Sequence, residues 1–404
     1  MKLAAACFVL LVLLSAATRV AESSRPVAGD HHDVSTQRRH QHGHKHGHKH
    51  GGHHHHDGGD DNDGDDDDDS PPPPSSKKNR PQKLFVFGDD AADTGNADDD
   101  VKLGARSSQW RAPFGMSDAA HAQRPSGRFS DGLVQSDYMA KIMGHAEAPP
   151  PFTYDNWADD GIDDAGLNFA VGGATVARDA QPGPSLGDQI SQLRDLIRDG
   201  IVKRKDLRDS VALVAYSGND YGYTKPQDDD DTTVAKVVDA LADLVSGLQD
   251  LGMGKVLVNT LVSYGCEPWL TRTSTNYSSC DDGGNGMSDK HNTALRDRLA
   301  GEDNEDVMVL DVNSVVRSLV EPKEGSTLGG KQLKERLRPC CEPVDPDAGG
   351  YCGLDGSFYL CDHPEEYFFW DLAGHPTQAG WRAVMQLLQG PIMQFLGISN
   401  LEHL

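Results

Sequence analysis

From Lys83 onward, five short and almost uninterrupted apolar runs alternate with longer segments of helical spacing, and this alternation constrains the fold more than any other feature. The runs are Leu84–Phe87, Leu167–Val171, Val211–Ser217, Lys255–Val262 and Asp306–Val312. A strand that is apolar at successive positions buries both faces, so the sheet needs a layer on either side. The intervening segments supply those layers. Leu186, Ile190, Leu193 and Ile197 share one helix face, as do Val234, Val237, Leu241, Leu244, Leu248 and Leu251, with Gly252 placed to stop the second helix. Strands alternating with helices pair in parallel. Residues 83–404 are therefore predicted to form one three-layer α/β/α sandwich around a five-stranded parallel sheet.

What precedes that domain does not read as fold. Met1-Lys2, the apolar run Leu3–Leu14 and the small residues Ser15-Ala16-Ala17 have the layout of a secretory signal peptide ending near residue 17. The run is shorter than the roughly 20 apolar residues a membrane span needs, and no later stretch reads as a transmembrane helix. Residues 18–82 hold a His-rich tract, then Asp65–Asp69 and Pro71–Pro74, with nothing apolar to bury, and are expected to be a disordered leader. Twelve of the 18 histidines fall within residues 31–56, a density that can hold a divalent metal, although a solvated tether is the plainer expectation.

An exported chain implies an oxidising route. Beyond the leader it carries Cys266, Cys280, Cys340, Cys341, Cys352 and Cys361, an even number that suggests disulfides, with Cys266 paired to Cys280 and the other four shared among themselves. A zinc site is the competing reading of the same cysteines. Asn276-Tyr277-Ser278 is an N-glycosylation acceptor in a secreted, extracellular protein of the apoplast or cell wall. The formal charge of −25 is not a property of the leader, since residues 81–404 alone hold 51 acids and 28 bases. So acidic a body argues against nucleic acid and anionic membrane surfaces as partners.

In doubly wound sheets, ligands bind beyond the carboxyl ends of the strands. Gly88-Asp89-Asp90 follows the first run, Gly172-Gly173-Ala174 the second and Gly218-Asn219-Asp220 the third, while Asp371 and His375 precede the last helical segment. Together with Phe85–Asn96, Pro125–Gly132, Asn168–Ala174, Phe368–Asp371 and His375–Gln378, these turns resemble the plant-type GDSL esterase/lipases of the SGNH-hydrolase superfamily, over about residues 83–396. The resemblance implies a flavodoxin-like sheet and a hydrolase acting on a small-molecule or polymer-borne carboxylic ester, with no cofactor. By position, it implies His375 as general base, Asp371 as the residue orienting it, and Gly172 and Asn219 as oxyanion-hole donors.

Two departures fall on those positions. The family has its nucleophilic serine where this chain has Asp90, a carboxylate expected to be ionised at the head of a helix, to pair with His375 and to bring negative charge to the oxyanion site. The family spacing D-x-x-H is also one residue longer here, Asp371-Leu372-Ala373-Gly374-His375, which puts the Asp–His hydrogen bond at stake unless Gly374 absorbs the extra residue. The sequence therefore supports a weak ester hydrolase, or alternatively an inactive relative that binds an ester, polysaccharide or lipid. Asp93-Thr94-Gly95 imitates an aspartic-protease loop, but that chemistry needs two such loops and an all-β frame; a polar turn behind the site is the expected role. His121, His145, His291, His363 and His403 read as surface or hydrogen-bonded polar residues, and Asp220 and Tyr221 as structural.

Overall fold

The computed structural model describes residues 83–97, 107–153, 161–176, 184–222, 230–301, 304–323, 333–345, 351–353 and 358–399. The expected signal peptide at 1–17, the leader at 18–82 with its metal-binding histidines, and His403 lie outside these residues.

All five expected strands form: β1 (Lys83–Gly88), β2 (Gly166–Asn168), β3 (Ser210–Ala215), β4 (Lys255–Asn259) and β5 (Val307–Leu310). They make one parallel sheet in the order β2-β1-β3-β4-β5, the flavodoxin-like arrangement. Successive side chains of a strand face opposite ways. Leu84 and Val86 of β1 accordingly join Val211, Leu213 and Leu257 on one face, under Val316, Trp381, Val384 and Leu388. Phe85 and Phe87 join Ala212, Val214, Val256 and Val258 on the other, under Leu186, Ile190, Leu193, Val237, Leu241 and Leu248. Each fully buried Val, Leu or Phe stabilises the sheet by about 1.5–3 kcal/mol, so the two apolar faces fix the three layers. The helix at Leu186–Arg198 buries Leu186, Ile190 and Leu193 as expected but turns Leu196, rather than Ile197, fully inward. The helix at Asp230–Leu251 ends at Gly252, whose φ of 97° is left-handed.

A second, three-stranded sheet was not legible in the sequence: β6 (Glu335–Pro343), β7 (Phe358–Leu360) and β8 (Tyr367–Asp371), in the order β7-β6-β8. Its central strand β6 mixes charged, prolyl and cysteine residues and lacks a clean period of two. Disulfides add to packing there, with Cys340 bonded to Cys361 and Cys341 to Cys352. Cys266–Cys280 is the third bridge, so all six cysteines are in disulfides and the zinc reading falls. Among the described residues no cluster of His, Cys, Asp and Glu is arranged to hold a metal ion, and no helix is long and apolar enough to cross a membrane. Asn276 is exposed in a turn inside the Cys266–Cys280 loop, with a φ of 51°.

Candidate active site

Four chain segments meet beyond the carboxyl ends of β1, β2 and β3 and the end of β8. The first is set by close packing. Gly88 closes β1 with a φ of 145°, and a Cβ there would lie 2.1 Å from the Ala215 carbonyl oxygen, so only glycine lets β1 and β3 run this close at their tips. The chain then makes a single turn, with the Asp93 N–H donating to the Asp89 carbonyl (3.0 Å), and Asp90 projects from it. The expected helix dipole is therefore missing, because residues 89–93 form a turn and not the start of a helix.

Other groups hold the Asp90 carboxylate. Its Oδ2 accepts hydrogen bonds from Asn219 Nδ2 (2.9 Å) and the Gly173 N–H (3.1 Å), while its Oδ1 lies 3.5 Å from His375 Nε2. Burial pushes this carboxyl up, but the His375 contact, then the Asn219 and Gly173 donors, outweigh it and hold Asp90 below the ordinary carboxylate range. The sequence assignment of Gly172 as an oxyanion donor is corrected here. The Gly172 N–H is used by Asp93 Oδ2 (2.7 Å), and the neighbouring Gly173 N–H is the one aimed at residue 90. A Cβ on Gly172 would collide with the Phe129 ring at 2.1 Å, so that glycine serves packing.

Asp93 is wholly buried and gathers the N–H groups of Gly95, Asn96, Ala97 and Gly172, which makes it the anchor of the turn. Burial raises its pKa to about 6. Asp89 likewise ties β1 to β3, accepting from the Ser217 N–H (2.7 Å) and Asn219 Nδ2 (3.2 Å), and burial next to Asp90 raises its pKa well above the usual value. The Asp93 turn is the polar turn expected behind the site, whereas the Asp89 role does not stand out in the sequence beyond a Gly-Asp turn.

Asp371 is the last residue of β8, and the chain doubles back at once: the Trp370 N–H donates to the His375 carbonyl at 2.6 Å, and Phe369 bridges Pro376. Gly374, with a φ of 94°, takes up the extra residue of the turn. Asp371 Oδ2 consequently lies 2.8 Å from His375 Nδ1, and its Oδ1 accepts the N–H groups of Ala373 and His375. The one-residue insertion does not break the Asp–His pair. Burial pulls the imidazole pKa down, yet Asp371 first and Asp90 second more than compensate, and His375 is held well above its usual value, as a cation. The Phe129 ring lies 5.1 Å from the imidazole.

One further acid went unnoticed in the sequence. Glu267, buried at the start of the helix Pro268–Ser274, packs where a Cβ on Gly374 would touch it at 2.9 Å, and its Oε2 accepts from Trp269 Nε1 (2.7 Å). Burial lifts its pKa to about 8, so it is a neutral acid beside the ion pair. Its only sequence signal was a lone acid next to Cys266. Away from the site, Asp220 Oδ2 binds the Val176 N–H and the Tyr216 hydroxyl, and the Tyr221 hydroxyl meets His291 Nδ1 at 2.6 Å, structural roles as expected. His291 departs from expectation at its other ring nitrogen: Nε2 is buried with no hydrogen-bond partner among the described residues, and burial lowers its pKa to about 4.

A family model described as GDSL-like lipase/acylhydrolase matches residues 84–388. Two GDSL esterase/lipases of Arabidopsis thaliana are similar to the chain, one 32% identical over 78% of this chain and 95% of the relative, the other 34% identical over 77% and 86%. Among solved structures, an acetylxylan esterase from Geobacillus stearothermophilus aligns with 12% identity over 79% of this chain and 95% of its own, at a TM-score of 0.34.

Proposed function

The chain belongs to the GDSL-like lipase/acylhydrolase family, and on that footing we propose that it hydrolyses carboxylic esters slowly, with the His375–Asp371 pair activating water in place of a serine. The observation that carries this reading is the 2.8 Å contact between His375 Nδ1 and Asp371 Oδ2, which fixes the imidazole with Nε2 turned toward residue 90. Gly173 and Asn219 supply the donors that a developing oxyanion needs. Asp90 is what limits the rate: with Asp371 it keeps His375 protonated, so only the minor neutral fraction of the imidazole takes a proton from water, and it also opposes the oxyanion. Its Oδ2 already sits on both donors, and a second anion about 4 Å away costs on the order of 4 kcal/mol at an effective dielectric near 20, equivalent to about three decades in rate.

That occupancy also favours a second reading, an extracellular relative that binds an ester, polysaccharide or lipid without turning it over. In either case the three disulfides suit an exported protein, for which a signal peptide at 1–17, a leader at 18–82 and a glycan on Asn276 belong to the same proposal. Hydrolysis of p-nitrophenyl acetate and butyrate by the wild type, Asp90→Ser and His375→Ala separates the readings. A slow wild-type rate lost in His375→Ala and raised about a thousandfold in Asp90→Ser supports the hydrolase. Saturable binding of the ester with no wild-type release of nitrophenol supports the binder.

A further inference from the structure

The two oxygens of Asp90 are in different environments, and this division is what a carboxylate nucleophile needs. Oδ2 is clamped by Asn219 Nδ2 at 2.9 Å and the Gly173 N–H at 3.1 Å. Oδ1 has the imidazolium Nε2 at 3.5 Å, beyond a strong hydrogen bond, on a side chain that is 12% exposed. A clamped oxygen fixes the direction of the carboxylate plane, and the loosely held one is left to react. Attack on an acyl carbon from here would yield a high-energy anhydride. Attack on a saturated carbon yields an ordinary ester, and the donors on Oδ2 then lie where charge develops when that ester is hydrolysed.

We propose that Asp90 is a nucleophile toward saturated carbon and that the site opens epoxides to vicinal diols through a covalent hydroxyalkyl ester of Asp90. In the first step an Oδ1 electron pair forms a bond to a ring carbon, the ring C–O bond breaks on the side of that carbon away from Oδ1, and the departing oxygen takes a proton from a water molecule, whose hydroxide is neutralised by the Nε2 proton of His375. The carboxylate charge is lost in the same step, which removes one of the two anions holding His375 protonated and leaves it a neutral base. In the second step His375 takes a proton from water as the hydroxide adds to Cγ of Asp90, and the oxyanion forms on Oδ2 between Gly173 and Asn219. Collapse breaks the Cγ–Oδ1 bond, and the alkoxide receives the proton from His375. The new carboxylic acid then returns its proton to His375, restoring the ion pair. The balance is one epoxide and one water to one diol, with no other reactant.

This activity does not depend on acyl-ester turnover, and the oxygen bookkeeping distinguishes it from direct attack by water. The full-length protein is mixed in excess with styrene oxide in water enriched in oxygen-18, quenched within one turnover, and digested for mass spectrometry. The expected result is unlabelled first-turnover diol, oxygen-18 in the peptide carrying Asp90, and, at the earliest times, an adduct of one epoxide mass on that peptide in the wild type. Asp90→Asn, isosteric and checked for folding by circular dichroism, should lower diol formation at least a hundredfold, and Asp90→Ser should lose it while nitrophenyl acetate hydrolysis rises. Label entering the diol directly, or diol yields equal in wild type and Asp90→Asn, overturns the proposal. So does a wild type that forms neither adduct nor diol, whatever its activity on nitrophenyl esters.

Discussion

Asp90 and Asn219 meet at 2.9 Å, so an amide positioned to hold a substrate oxygen instead holds an oxygen of the protein itself. The carboxylate thereby copies one feature of a reaction intermediate, an oxygen anion between two converging donors, and it does so in the resting state. Most of what is unusual in the site follows from that contact.

The charge on His375 should depend on residue 90. Asp371 and Asp90 together hold the imidazole well above its usual pKa, so removing the Asp90 anion should lower it. Proton NMR titration of the imidazole in wild type and Asp90→Asn gives the comparison. Superimposable curves would mean that the two side chains do not meet in solution.

Glu267 should make the fold weaker as the pH rises. Its folded pKa of about 8 lies above the ordinary 4.5, so its contribution is complete below pH 4.5 and lost progressively up to pH 8. The loss amounts to on the order of 3 kcal/mol by pH 7. Glu267→Gln, whose amide oxygen still accepts from Trp269, should match the wild type near pH 4.5 and melt several degrees higher at pH 7 to 8. A constant offset between the two melting curves across that range would rule out titration of this group as the cause.

Gly374→Ala should disturb the base without dismantling the sheet. The φ of 94° is costly for alanine, and the new methyl would press on the Glu267 side chain at 2.9 Å. A destabilisation of about 1–3 kcal/mol is expected, together with a changed His375 titration. Urea denaturation and the same NMR signal report the two effects separately, and an unchanged imidazole would show that the turn tolerates a side chain.

Arg128 and Asp137 form a buried pair, Nη2 to Oδ1 at 2.8 Å and Nε to Oδ2 at 2.8 Å, in which Asp137 also accepts the N–H groups of Val134 and Ala148. Arg128→Met should cost about 3–5 kcal/mol, because it leaves a carboxylate buried with no cation. Adding Asp137→Asn, which keeps an acceptor for the two backbone groups, should recover part of that. Chemical denaturation of the two variants checks both statements.

The large sheet was legible because its signal is redundant. Leu84 to Phe87 and Val211 to Ala215 are apolar at every position, and only a strand covered on both faces uses such residues. The small sheet was not, since Arg336, Pro339 and Glu342 in β6 follow no period and its stability is partly covalent. In the site, position in the turns led to Asp90, Asn219, Asp371 and His375, which the structure brings together. The choice between Gly172 and Gly173 could not be made from sequence, because it depends on which N–H Asp93 captures, a contact across 79 residues. Glu267 was equally hidden. Its pKa of about 8 comes from burial and from neighbours distant in sequence, and no local pattern records either.

Asp371 ends a strand of the small, disulfide-stapled sheet, whereas Asp90, Gly173 and Asn219 hang from the tips of the large one. The imidazole and the groups it faces are thus mounted on two sheets that share one apolar core through Phe368 and Phe369, the smaller sheet being stapled by sulfur as well. Reducing agents would loosen β6 and β7 first, while Phe368 and Phe369 keep the strand that carries Asp371 anchored in the central core.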